Sequence, residues 1–122
     1  MPQHILVVED EEAYAQVVKK MLEGAGFHVS TAKDFVSALH IVEGSAPIDL
    51  LLADVNMPVG TPHGLSIALM AGSKREDLKI VYMTGSVDPA QIAQYAPSAR
   101  LLRKPFTTQQ LLDTVRAALA EP

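Results

Sequence analysis

The sequence predicts an α/β sandwich, a parallel sheet with helices on both faces. Two observations carry that prediction. Five short apolar runs alternate with five stretches of helical character, the pattern of a (βα)5 chain. One run, Leu50-Leu51-Leu52-Ala53, is apolar at every position, as a strand covered on both faces must be. No linker, internal repeat or low-complexity tract interrupts the alternation. One domain over residues 1–122 is therefore expected, long enough to bury a real core.

The elements follow in order. His4-Ile5-Leu6-Val7-Val8 is a β-branched run read as the first strand, and it ends on Glu9-Asp10-Glu11-Glu12. From Glu11 to Glu23, Tyr14, Val17, Val18, Met21 and Leu22 form the apolar stripe of an amphipathic helix. Acids lead that helix and Lys19-Lys20 lie towards its end, in keeping with the helix dipole. Gly24 and Gly26 mark its stop. Phe27 to Thr31 reads as a half-polar strand, and a second helix runs from about Lys33 to Glu43 with Gly44 behind it. The third strand lies in the stretch Ile48-Asp49-Leu50-Leu51-Leu52-Ala53-Asp54-Val55-Asn56-Met57-Pro58, where an apolar run ends on Asp54 and Pro58 stops any helix from starting. Val59 to Gly64 is a loop, followed by a helix from about Leu65 to Gly72. Leu78 to Met83 is the fourth strand, ending on Thr84-Gly85-Ser86. Asp88-Pro89 opens a short helix to about Tyr95. Ala99 to Leu102 is the fifth strand, ending on Arg103-Lys104-Pro105-Phe106, and the last helix begins after Thr107 or Thr108. Right-handed crossovers leave few topologies for such a chain. The flavodoxin-like order 2-1-3-4-5 centres the apolar third strand and makes the half-polar second strand an edge.

Composition excludes several functions. A net charge of -4 and a pI near 5.4 argue against a nucleic-acid partner. There are no cysteines, hence no disulfide, thiolate nucleophile or cysteine-bound metal. No apolar run approaches the ~20 residues of a membrane span, and no secretory leader is visible. A cytoplasmic location without membrane contact is the expectation. The four histidines lack zinc-binding spacing, and acids stand where a phosphate-binding glycine loop would follow the first strand.

Sites in open α/β sheets form beyond the carboxyl ends of the strands, at the switch in strand order. That edge receives Glu9 and Asp10 from the first strand, Asp54 from the third, Thr84 from the fourth and Lys104 from the fifth. Each residue alone has an ordinary structural role as a cap, a turn former or a solvated charge. Together they are three carboxylates, a hydroxyl and an ammonium at neighbouring strand ends. Carboxylates brought together repel unless a cation neutralises them, and an all-oxygen donor set suits Mg²⁺. An aspartate can then serve as nucleophile towards phosphorus, with the hydroxyl and ammonium stabilising the phosphoryl oxygens.

Ile5-Leu6-Val7-Val8-Glu9-Asp10-Glu11, Asp54-Val55-Asn56-Met57-Pro58, Met83-Thr84-Gly85 and Lys104-Pro105-Phe106 together resemble the receiver domain of a two-component response regulator. The resemblance covers essentially the whole chain. It implies that Asp54 is the phosphoacceptor and that Thr84 and Lys104 bind the phosphoryl group. It implies Asp10 as a direct Mg²⁺ ligand alongside Asp54, Glu9 as a ligand through water and the Asn56 carbonyl as a further ligand. It also implies a cis Lys104-Pro105 bond, a sensor histidine kinase or histidine phosphotransfer protein as donor, and a downstream protein as target. The domain is expected to assist its own phosphotransfer and dephosphorylation, as a monomer or weak dimer. No output domain follows the last predicted helix, so signalling by protein contacts alone is expected.

The chain departs from the family pattern at three places. Leu101 stands where many members carry an aromatic switch residue. The loop from Val59 to Gly64 is about two residues longer than usual, a change of small entropic cost. Gly85 replaces a commoner alanine. Two other functions compete. A haloacid-dehalogenase-like phosphohydrolase needs a second aspartate two residues after the nucleophile, where this chain has Asn56. A flavin carrier needs the missing phosphate loop.

Overall fold

The structure, a computed structural model, describes residues 2–44, 47–54, 78–85 and 100–121. Among them are strands β1 (His4–Val8), β2 (His28–Ala32), β3 (Leu50–Asp54), β4 (Lys79–Thr84) and β5 (Arg100–Arg103). Three helices accompany them: α1 (Glu12–Gly24), α2 (Phe35–Glu43) and the C-terminal α3 (Thr108–Leu119). The sheet is parallel throughout, in the order β2-β1-β3-β4-β5. This is the expected flavodoxin-like order, with β3 central and β2 at an edge. The helices expected near residues 65–72 and 88–95, the loop 59–64 and Asn56 lie outside the described residues.

Alternation along each strand divides the core into two layers. Ile5, Val7, Leu50, Leu52, Val81, Met83 and Leu102 point to one face and pack beneath α1 and α3. Leu6, Val8, Leu51, Ala53 and Tyr82 point to the other, against Ala38 and Val42 of α2. Every residue of β1 and of β3 is buried. Such strands gain most from β-branched and leucine side chains, because neither face meets water.

Helix termini follow local chemistry. Asp34 caps α2 by accepting a hydrogen bond from the Ser37 amide at 2.8 Å, which holds its carboxyl below the usual value. Thr107 starts α3 with a reciprocal capping box: its hydroxyl accepts from the Gln110 amide at 3.1 Å, and the Gln110 side chain accepts from the Thr107 amide at 2.8 Å. In α1 the expected stripe needs one correction. Val17 is 49 % exposed, and Ala15 is buried with Val18 and Leu22 instead. Val17 and Val18 are adjacent, about 100° apart around the helix, so an inward stripe centred on Val18 turns Val17 out.

The amino-terminal end of the sheet is closed by a polar cluster. Buried His4 sets Nδ1 2.9 Å from the Pro47 carbonyl and Nε2 2.7 Å from Ser30 Oγ. Its backbone amide donates to Asp49 Oδ2 at 2.7 Å. These contacts tie β1 to β2 and to the approach to β3.

Candidate functional site

Ladder hydrogen bonds continue one residue past β1 and β5 and so fix the side chains at the carboxyl edge. The Glu9 amide donates to the Ala32 carbonyl at 3.0 Å, and the Lys104 amide donates to the Thr84 carbonyl at 2.7 Å. Asp54 and Thr84 are themselves the last residues of β3 and β4. Alternation then sorts them. Glu9 is in step with Ile5 and Val7, Asp54 with Leu50 and Leu52, and Lys104 with Leu102. All three are thus in register with the layer beneath α1 and α3. Thr84 is in step with Tyr82, on the α2 side. The Lys104-Pro105 bond is cis, as expected.

Glu9, Asp54 and Thr84 are buried, while Asp10 is exposed. One oxygen from each of Glu9, Asp10 and Asp54 lies within 4.8 Å of the others. The Lys104 ammonium donates to Glu9 Oε1 at 2.6 Å and to Asp54 Oδ2 at 3.3 Å. Beside the carboxylates opens a cavity of about 370 Å³, bordered by Asp10, Gln16, Thr31, Lys33 and Ser37. Four of the sequence-predicted residues, Glu9, Asp10, Asp54 and Lys104, are therefore brought together, with Thr84 at the adjoining strand end.

The electrostatics are those of a pocket with surplus negative charge. Burial, reinforced by the neighbouring Asp54 carboxyl, pushes Glu9 up to about 8 against the pull of Lys104. Burial alone would lower the Lys104 ammonium, but the hydrogen bond to Glu9 and the charges of Asp54 and Glu9 outweigh it and raise its pKa above 10.5. Among the described residues, Glu9 Oε2 is buried without a hydrogen-bond partner. A buried carboxylate oxygen in that state is costly and calls for a cation or a proton. With three carboxylates and only oxygen donors, the pocket fits a hard divalent ion such as Mg²⁺.

Sequence reasoning did not find one neighbour of the site, Tyr14 of α1. Its ring centroid lies 4.3 Å from Lys104 Nζ, and it packs in a T-shaped pair with the Phe106 ring at a centroid distance of 6.0 Å. Its place in the apolar stripe of α1 suggests only a core residue. The available signal was that Tyr14 lies about one turn beyond Asp10, near the helix end facing the site.

Sheet order, buried acidic pocket and bridging lysine together define a flavodoxin-like α/β domain with an acidic site at its carboxyl-terminal edge. The chain belongs to the response regulator receiver domain family, whose model matches residues 5–116, and it is a two-component signalling domain. It is 34% identical over 121 residues to the response regulator MprA of Mycobacterium sp. (strain KMS), covering 98% of this chain and 51% of that protein. The chain thus spans about half the length of the curated relatives it matches. A response regulator receiver protein from Sinorhizobium medicae superposes with a TM-score of 0.88 at 28% identity, covering 97% of this chain and 94% of that one. The Vibrio cholerae chemotaxis protein CheY4 superposes with a TM-score of 0.85 at 30% identity, covering 97% and 99%. These likenesses do not favour the phosphohydrolase alternative. Among the described residues, no helix is long and apolar enough to cross a membrane.

Proposed function

We propose that this domain, spanning residues 1–122, accepts a phosphoryl group on Asp54 from a phosphohistidine of a sensor kinase or histidine phosphotransfer protein. The observation that carries this reading is the contact of Lys104 Nζ with both Glu9 and Asp54, two members of a cluster of three carboxylates. The Asp54 carboxylate oxygen attacks phosphorus, the P–N bond breaks, and the electron pair returns to the imidazole nitrogen. The product is an acyl phosphate, a mixed anhydride open to hydrolysis. Lys104 and the Thr84 hydroxyl bind the phosphoryl oxygens and stabilise the charge that spreads over them during transfer. Asp10, Asp54 and the Asn56 carbonyl would hold Mg²⁺, with Glu9 contributing through water. When bound, the ion offsets the carboxylate charge and neutralises charge on the phosphoryl oxygens.

The burial of Asp54 limits access of water to the acyl phosphate and so sets the rate at which the domain dephosphorylates itself. The signal passes to a downstream protein by contacts that differ between the two states. A cytoplasmic setting and a monomer or weak dimer fit this role. Phosphotransfer from candidate labelled donors tests the proposal, with Asp54→Ala as control. Labelling should be lost in the variant, and equal labelling of the variant would overturn the assignment.

A further inference from the structure

The lysine of this site is held from one side by an aromatic ring. Lys104 Nζ sits 4.3 Å from the centroid of Tyr14, within the range of a cation–π contact. Its other neighbours are Glu9 Oε1 at 2.6 Å and Asp54 Oδ2 at 3.3 Å. An ammonium on a four-carbon stem has no intrinsic direction, unlike a planar guanidinium. Two acceptors on one side leave it free to swing towards solvent, and the Lys104 side chain is 20% exposed. The Tyr14 ring covers it from α1. That ring is steadied in turn by Phe106, packed edge-to-face at 6.0 Å and 78° two residues beyond the lysine. Strand alternation explains the meeting, because Lys104 is in register with the layer covered by α1 and α3, which Tyr14 joins.

The geometry points to Tyr14 as a positioning residue for phosphoryl transfer, its ring face holding the Lys104 ammonium beside Asp54 where the phosphoryl oxygens arrive. This inference rests on Asp54 being the phosphoacceptor. Tyr14 touches neither phosphorus nor carboxylate and acts through the lysine. The ring carries the effect, and the hydroxyl does not enter it. A leucine keeps apolar volume against the core but loses the negative ring face.

Two measurements test this. The first uses acetyl phosphate with Mg²⁺, a small donor that makes no docking contact with α1. Tyr14→Leu should slow phosphorylation by about 3- to 30-fold, the factor equivalent to a partly desolvated cation–π contact. Tyr14→Phe should keep the wild-type rate, a rescue that loss of the hydroxyl alone cannot mask. Equal rates for Tyr14→Leu and the wild type, or a Tyr14→Phe rate as slow as Tyr14→Leu, would overturn the inference. The second measurement needs no variant of Tyr14 to fold. In the wild-type protein the Lys104 ε-methylene protons, assigned by their loss in Lys104→Arg, should resonate upfield of other lysines through the ring current. Unshifted signals would equally overturn it. A failure of the underlying reading looks different, because wild-type protein would then take up phosphate at the same rate as Asp54→Ala.

Discussion

At the scale of single residues, Glu9 is the most heavily perturbed group in the site. Burial and the nearby Asp54 carboxyl push it up to about 8, from an ordinary value of 4.5. The sign of the resulting linkage is definite. The native state holds the Glu9 proton more tightly than the unfolded chain does. Its stabilising contribution is therefore complete below pH 4.5 and is lost as pH rises through about 8. Lys104, held above 10.5, stays charged across that window. In chelator-treated protein, urea midpoints should fall between pH 5 and pH 8 relative to Glu9→Gln, whose profile lacks this component. A Glu9→Gln profile parallel to the wild type would contradict the assignment. Added Mg²⁺ should raise the wild-type midpoint more at pH 8 than at pH 5, because an ionised carboxylate is the better ligand. Glu9 Oε2, buried without a hydrogen-bond partner among the described residues, is the structural source of both effects.

At the scale of elements, the site depends on strand ends held in place by helices. Thr107 and Gln110 cap α3, which follows directly on the Lys104-Pro105-Phe106 segment. Thr107→Ala should cost about 1 kcal/mol, or roughly 3–6 °C in Tm for a domain of this size, as read by thermal unfolding. Leu52 of β3 is fully buried in the layer under α1 and α3, two residues before Asp54. Leu52→Ala should cost about 2–5 kcal/mol by opening a cavity, measured by urea denaturation. The strands and the partners at their carboxyl ends were legible in the sequence because short continuous apolar runs with abrupt polar stops are a local signal, and the all-apolar third run and half-polar second run set the order. The orientation of α1 was only partly legible. Two adjacent valines both satisfy the helical stripe, and only packing decides that Val18 goes in and Val17 goes out. Tyr14 looked like an ordinary stripe residue, because the lysine it faces comes from the far end of the chain. The depth of Glu9 was hidden for a related reason. A run of four acids reads as solvated, yet strand register draws the first of them into the core edge and leaves the other three exposed.

At the scale of the whole molecule, the sheet carries a polar cluster at each end. At the amino-terminal end it is His4 with Ser30, Pro47 and Asp49. At the carboxyl-terminal end it is the carboxylates with Lys104. Buried strands join the two, so the ends should contribute separately to stability and to chemistry. His4→Ala should lower stability by about 1–3 kcal/mol, the loss of two part-buried side-chain hydrogen bonds made by a buried ring. It should leave the rate of phosphorylation by acetyl phosphate within about twofold of wild type, since distant independent sites add to within a few tenths of a kcal/mol. A large fall in that rate with an unchanged urea midpoint would contradict this division. The histidine spacing argued against a zinc site but did not reveal this role, because the partners of His4 come from β2 and from the approach to β3. Leu101 lies across the register from Tyr82 and packs against the layer on the α2 side. An aliphatic side chain therefore occupies the position where many family members place an aromatic switch residue.

The central claim is that Asp54 receives the phosphoryl group. The most direct measurement is borohydride reduction of the phosphorylated domain, followed by peptide mass spectrometry. An aspartyl phosphate is reduced to homoserine, and the account predicts that product at position 54 alone, in an amount that follows the phosphorylated fraction. Homoserine at Asp10 or Asp49 with position 54 unchanged would contradict it.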